Sequence, residues 1–549
     1  MRTVEENIKV AQLLFPDIDE SVDDILHRYP RRELSDEQLV LRFAPSPTGF
    51  VHIGGIYAAL VNEKLVRQSN GIFILRVEDT DKKREIEKGV ELLVNGIEGF
   101  GIKINEGLKG DGKQVGEYGP YMQSERVDIY KVFAKELVSK GLAYPCFASS
   151  QELNEIREKQ TNMGVRTGYY GEFAKWRDAS LDYIKGALEE GKSFVIRLYS
   201  KGNIERKINV RDLIKGGITL SENDMDAVLL KSDGLPTYHF AHPIDDHLMD
   251  ISFVLRGDEW LPSQPLHMEI FNALGFDQLT YGHISPLMKL DGTNKRKLSK
   301  RKDPEADISF YIENGYPINA VKEYLLNIAN SNFYDWRIQN RNEDISKFEL
   351  KLEKFNRAGA LFDIRKLEDV CKEYISKLTA QQVYDYSLEW AKEFNEKEYE
   401  RLVNSRDYCI RIFNIEREGD KIRKDLVKWS DITDMLDMFF DDYEIESLDI
   451  DSKVQSNLLE EYLNTFYIGD SSVEWFNKIK AIAQKEGFSV DTKEYEKDPK
   501  RYKGKVGDVA MVIRVAITGR RQTPDLYQVI QVMGEQRVRE RIQRYIKSL

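Results

Sequence analysis

Apolar positions recur along this chain in two rhythms. Up to about residue 38 they fall at helical spacing, broken near Phe15-Pro16 and closed at Tyr29-Pro30, which predicts two short helices docked on the next domain. From Leu39 the rhythm changes. VLRFA (40–44) reads as a strand, residues 55–69 as a helix stopped by Asn70-Gly71, IFILRV (72–77) as a buried strand, and residues from about 85 to 98 as a second helix. Strand, helix, strand, helix is the opening of a parallel α/β sheet. The pattern resumes in DAVLL (226–230) and ISFVLRG (251–257), with a helix from Gln264 to Leu274. The mixed stretch between the halves, roughly 118–214, reads as an insertion. After Asp303 long amphipathic helices dominate, with few strand signals, and bundles are their natural packing.

A length of 549 residues exceeds what one core holds, so several domains are expected. The pattern sets off 1–38, 39–117 and 118–214. No run approaches the roughly 18 apolar residues of a membrane span. The acidic start of MRTVEENIKVAQLL does not read as a secretory leader. Cys146, Cys371 and Cys409 are far apart and odd in number, which points to a reducing, cytoplasmic setting rather than a disulfide framework. The net charge of −12 does not favour nucleic acid, yet phosphate binding follows local patches. Two exist. Lys295, Arg296, Lys297, Lys300, Arg301 and Lys302 crowd one stretch, and arginines from Arg514 to Arg544 crowd the tail.

RFAPSPTGFVHIGG (42–55) carries the first sign of chemistry. Pro45 and Pro47 stiffen the loop after its strand, and Gly49 permits a conformation other residues resist. His52 comes next, then Gly54 and Gly55 at a helix start, where unpaired N–H groups favour a phosphate. An imidazole there can donate to phosphoryl oxygens during transfer.

PSPTG-x-x-H-x-G-G resembles the HIGH signature of class I aminoacyl-tRNA synthetases, in the glutamyl-tRNA synthetase form that ends in glycine, here Gly55. That family carries a second loop, KMSKS, downstream. KLSKR (297–301) is similar to it, with Lys297 and Lys300 at the matching positions. The resemblance implies a Rossmann-like α/β catalytic domain with an inserted α+β acceptor-binding domain. For the rest of the chain it implies 215–290 as the second catalytic half, and 291–375 and 376–549 as all-helical stem-contact and anticodon-binding domains. It implies ATP with Mg2+, L-glutamate and tRNA(Glu) as substrates, and His52, Lys297 and Lys300 as stabilisers of phosphoryl transfer. A monomer is expected.

RVEDTD (76–81), LLKSDGLPTYHFAHPIDDHLM (229–249) and FVLRGDEWL (253–261) are similar to further family blocks. The match puts Arg42, Ala44, Ser46, Glu78, Tyr238, His242 and Arg256 around glutamate. It puts Gly54, Gly55, Glu259, Trp260, Leu287, Met288 and Lys300 around ATP. Two arginines and Glu78 suit a ligand with two carboxylates and one ammonium. QSERVDIY (123–130) and GYYGEFAKWRD (168–178) look like the insertion that grips the acceptor end, and residues 307–333 resemble stem-contact helices. Residues 512–534 resemble the end of the bacterial-type anticodon cage, in which Arg417 is a candidate contact.

The chain departs from the family in two places. His242 stands where some members have asparagine and others an apolar residue, so a substrate contact and simple packing both stay open. Of the cysteines that hold zinc in some members only Cys146 remains, so no zinc is expected. Alternatives to a glutamyl enzyme are one that also charges tRNA(Gln), a glutaminyl-tRNA synthetase, a short relative that glutamylates a tRNA base, and a silent RNA-binding module. PSPTG, Gly55 and a helical C-terminal region oppose the glutaminyl form, length opposes the short relative, and the intact lysines and histidine oppose the module.

Overall fold

A computed structural model describes residues 2–47, 51–81, 88–419, 422–440 and 443–549. The chain divides into two compact units: Met1–Phe310 with Lys322–Asp363, and Tyr311–Val321 with Ile364–Leu549. Gly49 and the expected helix start near Glu85 lie outside the described residues.

The first unit is built on parallel strands. Val40–Phe43 runs parallel to Ile72–Leu75, which runs parallel to Glu106–Leu108, and Gln114–Val115 closes that edge antiparallel. Val254–Gly257 runs parallel to Tyr281–Ile284 in a register that sets Arg256 opposite His283. The two halves meet where the Ser252 N–H donates to the Val40 carbonyl at 2.9 Å and the Val40 N–H donates to the Ser252 hydroxyl at 2.9 Å. Ligands in open α/β sheets bind beyond the strand C-termini at such a switch of direction. The expected helices cover the sheet as Ile53–Gln68, Gly89–Gly99 and Gln264–Leu274. Leu41, Phe73, Ile74 and Leu75 are fully buried, as continuous apolar runs in a doubly covered sheet require.

Two strands take partners other than those expected. Val228–Leu230, read as part of the second sheet half, pairs antiparallel with Val195–Leu198, which pairs with Ala143–Cys146. It therefore completes the sheet of the inserted region. Conversely Lys207–Asp212, read within the insertion, pairs with Tyr281 and forms a hairpin with Gly216–Ser221. A short apolar run reports burial but not which neighbour provides it.

The N-terminal helices Val4–Leu14 and Val22–Arg28 start on capping boxes, Thr3 with Glu6 and Ser21 with Asp24. The chain then ties back to the sheet. Arg32 forms a two-pronged ion pair with Glu106 at 2.7 and 2.8 Å while lying 3.7 Å over the ring of Tyr118. Strand structure continues past residue 290: Leu287–Asp291 pairs with Asn294–Lys297 and, in parallel, with Ala360–Leu361.

The second unit is helical among its described residues, around a core that includes Ile412, Leu458, Ile479, Val512, Ile530 and Ile542. Gly519 ends the helix Val506–Thr518 at φ +74°, where a Cβ would come within 2.3 Å of the Glu444 carbonyl oxygen. Among the described residues no helix is long and apolar enough to cross a membrane.

Candidate active site

Beyond the C-termini of Val40–Phe43 and Val254–Gly257 lies a cavity of about 440 Å3. Its lining includes His52, Gly54, Gly55 and Lys297 from the two motif loops, and Glu259, Trp260 and Leu287 from the expected nucleotide residues. It also includes Arg42, Ala44, Ser46, Glu78, Tyr238 and Arg256 from the expected amino-acid residues. Positions more than 200 residues apart in sequence thus face one space.

His52 caps the helix Ile53–Gln68, its Nδ1 accepting the Gly54 N–H at 2.9 Å. That bond puts the ring's own N–H on Nε2. A Cβ on Gly54 would sit 3.0 Å from the same Nδ1, so glycine leaves the cap room. Burial, with Lys300 and Lys297 nearby, lowers the His52 pKa, and a hydrogen bond to the Leu298 backbone opposes the shift. The ring is therefore neutral near pH 7. The hydrogen bond to Leu298 joins the second loop to the first, and the charge of Lys300 acts on the ring although Lys300 does not line the cavity. Lys300 lies 3.8 Å from Asp307, and Lys297 lies 3.5 Å from Glu259. Asp303 accepts from the Ser299 N–H and pairs with Arg296 at 2.6 Å, which shapes the lysine loop.

The other wall rests on buried charge. Asp246, on the helix Tyr238–Leu248, accepts from Arg42 at 3.0 Å and from Arg76 at 2.7 Å. Burial alone would raise its pKa, but the two arginines hold it well below the usual range. Arg76, fully buried, also lies 3.5 Å from Glu78 and 3.7 Å from Asp245. The Glu78 N–H donates to the Pro45 carbonyl at 2.9 Å, tying the acidic loop to the proline loop. Burial raises the Glu78 carboxyl to about 7 against the pull of Arg76 and Arg42.

Arg256 is held differently. It donates from Nε to His283 at 3.1 Å and from Nη1 to His267 at 3.0 Å and the Tyr238 hydroxyl at 3.3 Å. Its Nη2 donates to the Trp260 carbonyl at 3.4 Å.

Besides Lys300, three expected positions fall elsewhere. His242 has no exposed surface and does not line the cavity. Burial lowers its pKa to about 4, so its 2.6 Å contact with Asp246 is a neutral Nδ1–H donation, and the Tyr281 hydroxyl donates to Nε2 at 3.1 Å. With a proton on Nδ1, the Arg42 approach at 3.4 Å is not a hydrogen bond. His242 packs behind Arg42. Met288 sits one residue beyond the lining, with Gly359 against its side chain. Arg417 is buried in the second unit, donating to the carbonyls of Phe413, Ile375 and Leu378 at 2.8–3.0 Å. Those bonds give it a structural role and leave the anticodon assignment without a geometric basis.

Sequence reasoning did not single out Arg76, Asp246, His267 or His283. A signal existed for the first two: charged residues at the end of an apolar strand and a DD pair in a largely buried helix. For the histidines, only tertiary structure reveals the shared partner.

Residues 38–369 match the family model described as tRNA synthetases class I (E and Q), catalytic domain, and residues 382–546 match an anticodon binding domain. The chain is similar to the glutamate–tRNA ligases of Clostridium perfringens (strain 13 / Type A) and Acetivibrio thermocellus. It is 45% identical to the first over 97% of this chain and 99% of the relative, and 46% identical to the second over 98% and 99%. Among solved structures it resembles a glutamate tRNA ligase from Elizabethkingia meningosepticum in complex with its amino acid. That likeness has 27% identity and a TM-score of 0.74 over 93% of this chain and 100% of that one.

Removing Asp246 strands two buried arginines. Asp246→Ala is expected to lose about 3–5 kcal/mol of stability, read as a fall in the urea midpoint, whereas Asp307→Ala on the partly exposed loop should leave the midpoint close to wild type.

Proposed function

Since the chain belongs to the class I tRNA synthetases of the glutamate and glutamine type, we propose that it is a glutamate–tRNA ligase. Glutamate and MgATP react to give glutamyl-adenylate and pyrophosphate, and a 3′-terminal ribose hydroxyl of tRNA(Glu) then takes the acyl group as AMP leaves. The single observation that carries this reading is the gathering of His52, Lys297, Glu78 and Arg256 around one cavity.

In the first step the α-carboxylate of glutamate attacks the α-phosphorus in line with the departing pyrophosphate. Positioning and charge compensation are what the protein supplies. The neutral His52 ring would turn its Nε2–H from the Leu298 backbone to a phosphoryl oxygen of ATP without giving up the proton. Lys297 and Lys300 track the charge that leaves with pyrophosphate. Trp260 and Leu287 offer apolar surface to the adenine beside Glu259. Glu78 receives the α-ammonium, while Arg42 and Arg256 face carboxylate oxygens. Magnesium arrives with ATP as part of the substrate. The anticodon-type domain is the part of the chain suited to tRNA(Glu), and we place the reaction in the cytoplasm, carried out by a monomer.

Pyrophosphate exchange in the presence of tRNA tests the reading. Exchange should depend on glutamate and not on glutamine, and Lys300→Ala should lower kcat by about 10²–10³-fold. Exchange with glutamine alone would overturn it. Charging of separate purified glutamate and glutamine tRNAs then decides whether tRNA(Gln) is also a substrate.

The Glu78 carboxyl yields a pH dependence. Only its ionised form pairs with an ammonium, and with a pKa of about 7 that form gains population as pH rises from 6 to 8. KM for glutamate should therefore fall over that interval in the wild type, and Glu78→Gln should flatten the trend.

A further inference from the structure

Four of the chain's seven histidines, His239, His242, His267 and His283, lie in one ring of contacts behind the amino-acid end of the cavity. Two of them hold Arg256, and their proton positions can be deduced. A guanidinium only donates. His283 therefore accepts the Arg256 Nε–H on its Nε2, which leaves its proton on Nδ1, 2.6 Å from Asp212 Oδ2. Asp212 is itself held by the N–H groups of Ile214 and Lys215. His267 accepts from Arg256 on Nδ1, so its proton is on Nε2, 3.0 Å from His239 Nδ1, which must be the acceptor. Both arms work only with neutral rings, and burial first, with Arg256 beside them, keeps both below their ordinary pKa.

The contrast with the neighbouring arginines is informative. Arg42 and Arg76 lean on the Asp246 carboxylate. Arg256, by comparison, is fixed by two imidazoles, a phenol and a carbonyl, all neutral, and the Asp212 carboxylate stands one residue removed. Its N–H donors are thereby engaged on three nitrogens while its charge stays uncancelled by direct contact.

We propose that His283 and His267 are positioning residues forming a neutral cradle that fixes Arg256 while reserving its charge for a carboxylate of the substrate. The inference rests on the glutamate–tRNA ligase reading. It predicts that a neutral acceptor is tolerated at these positions and an anionic one is not, because an anion would neutralise Arg256 from behind.

Asparagine and aspartate at 267 have the same shape, and each places an oxygen where Nδ1 stood. KM for glutamate and for ATP would be measured separately for His267→Asn, His267→Asp and His283→Gln, with thermal midpoints, in tRNA-supported exchange. The expected result is glutamate KM within about threefold of wild type for His267→Asn and His283→Gln. For His267→Asp it should rise roughly tenfold or more, a step matching one charge-assisted hydrogen bond, with ATP KM and midpoint no further shifted than in His267→Asn. Equal glutamate KM for the asparagine and aspartate variants, or an equal rise in ATP KM, overturns the cradle alone. Absence of glutamate-dependent exchange in the wild type overturns the functional reading and the cradle with it. Should neither residue-267 variant fold, His283→Gln decides alone: a rise in glutamate KM of roughly tenfold or more at an unchanged thermal midpoint and ATP KM overturns the cradle.

Discussion

Asp246 is the constraint on which the catalytic half depends. Arg42 arrives from the first strand and Arg76 from just beyond the second, and both donate to this one carboxylate on the helix Tyr238–Leu248. Next to it Asp245 takes Arg126, Tyr130 and Gln123 from the segment that opens the inserted region. Such charges are costly to bury and are retained only when matched. The matching locks two strand ends, a helix and the start of the insertion into one arrangement. Glu78 sits at the margin of that network, where burial and two arginines oppose each other and leave its carboxyl poised near neutrality.

Two ways of holding an arginine therefore stand side by side. Where the protein needs rigid architecture it pairs guanidinium with carboxylate. Arg42 lines the cavity while paired this way, whereas Arg256, also in the lining, is held by neutral groups. The phosphate end obeys a related economy: His52 is kept neutral by burial and two lysines, so it can donate one hydrogen bond without adding another fixed charge to a site already carrying Lys297 and Lys300.

Much of the site was readable in the chain. Prolines and glycines around His52, an apolar strand running into RVEDTD, and a lysine pair after the second sheet half placed most of the cavity's lining by pattern and resemblance. What escaped had physical causes. Val228–Leu230 and Lys207–Asp212 exchanged sheets because short apolar runs carry no label for their partners. For His242 a substrate contact and simple packing both stayed open in the sequence, and the helix turns its ring inward to Asp246. Arg417, a candidate anticodon contact in the sequence, instead donates to three carbonyls near helix ends. The histidine cradle joins residues from separate elements, a helix and a strand, and no local pattern encodes it.

Both motif loops and the carboxylate-binding wall must act on one bound molecule if the enzyme works as proposed. A crystal structure with a non-hydrolysable sulfamoyl analogue of glutamyl-adenylate measures this directly. The expected result is the sulfamoyl group between His52 and Lys300, the ammonium on Glu78, a carboxylate on Arg256 and the adenine against Trp260 and Leu287. An analogue bound away from that cavity, or His52 and Lys300 on separate parts of it, would contradict the proposed mechanism.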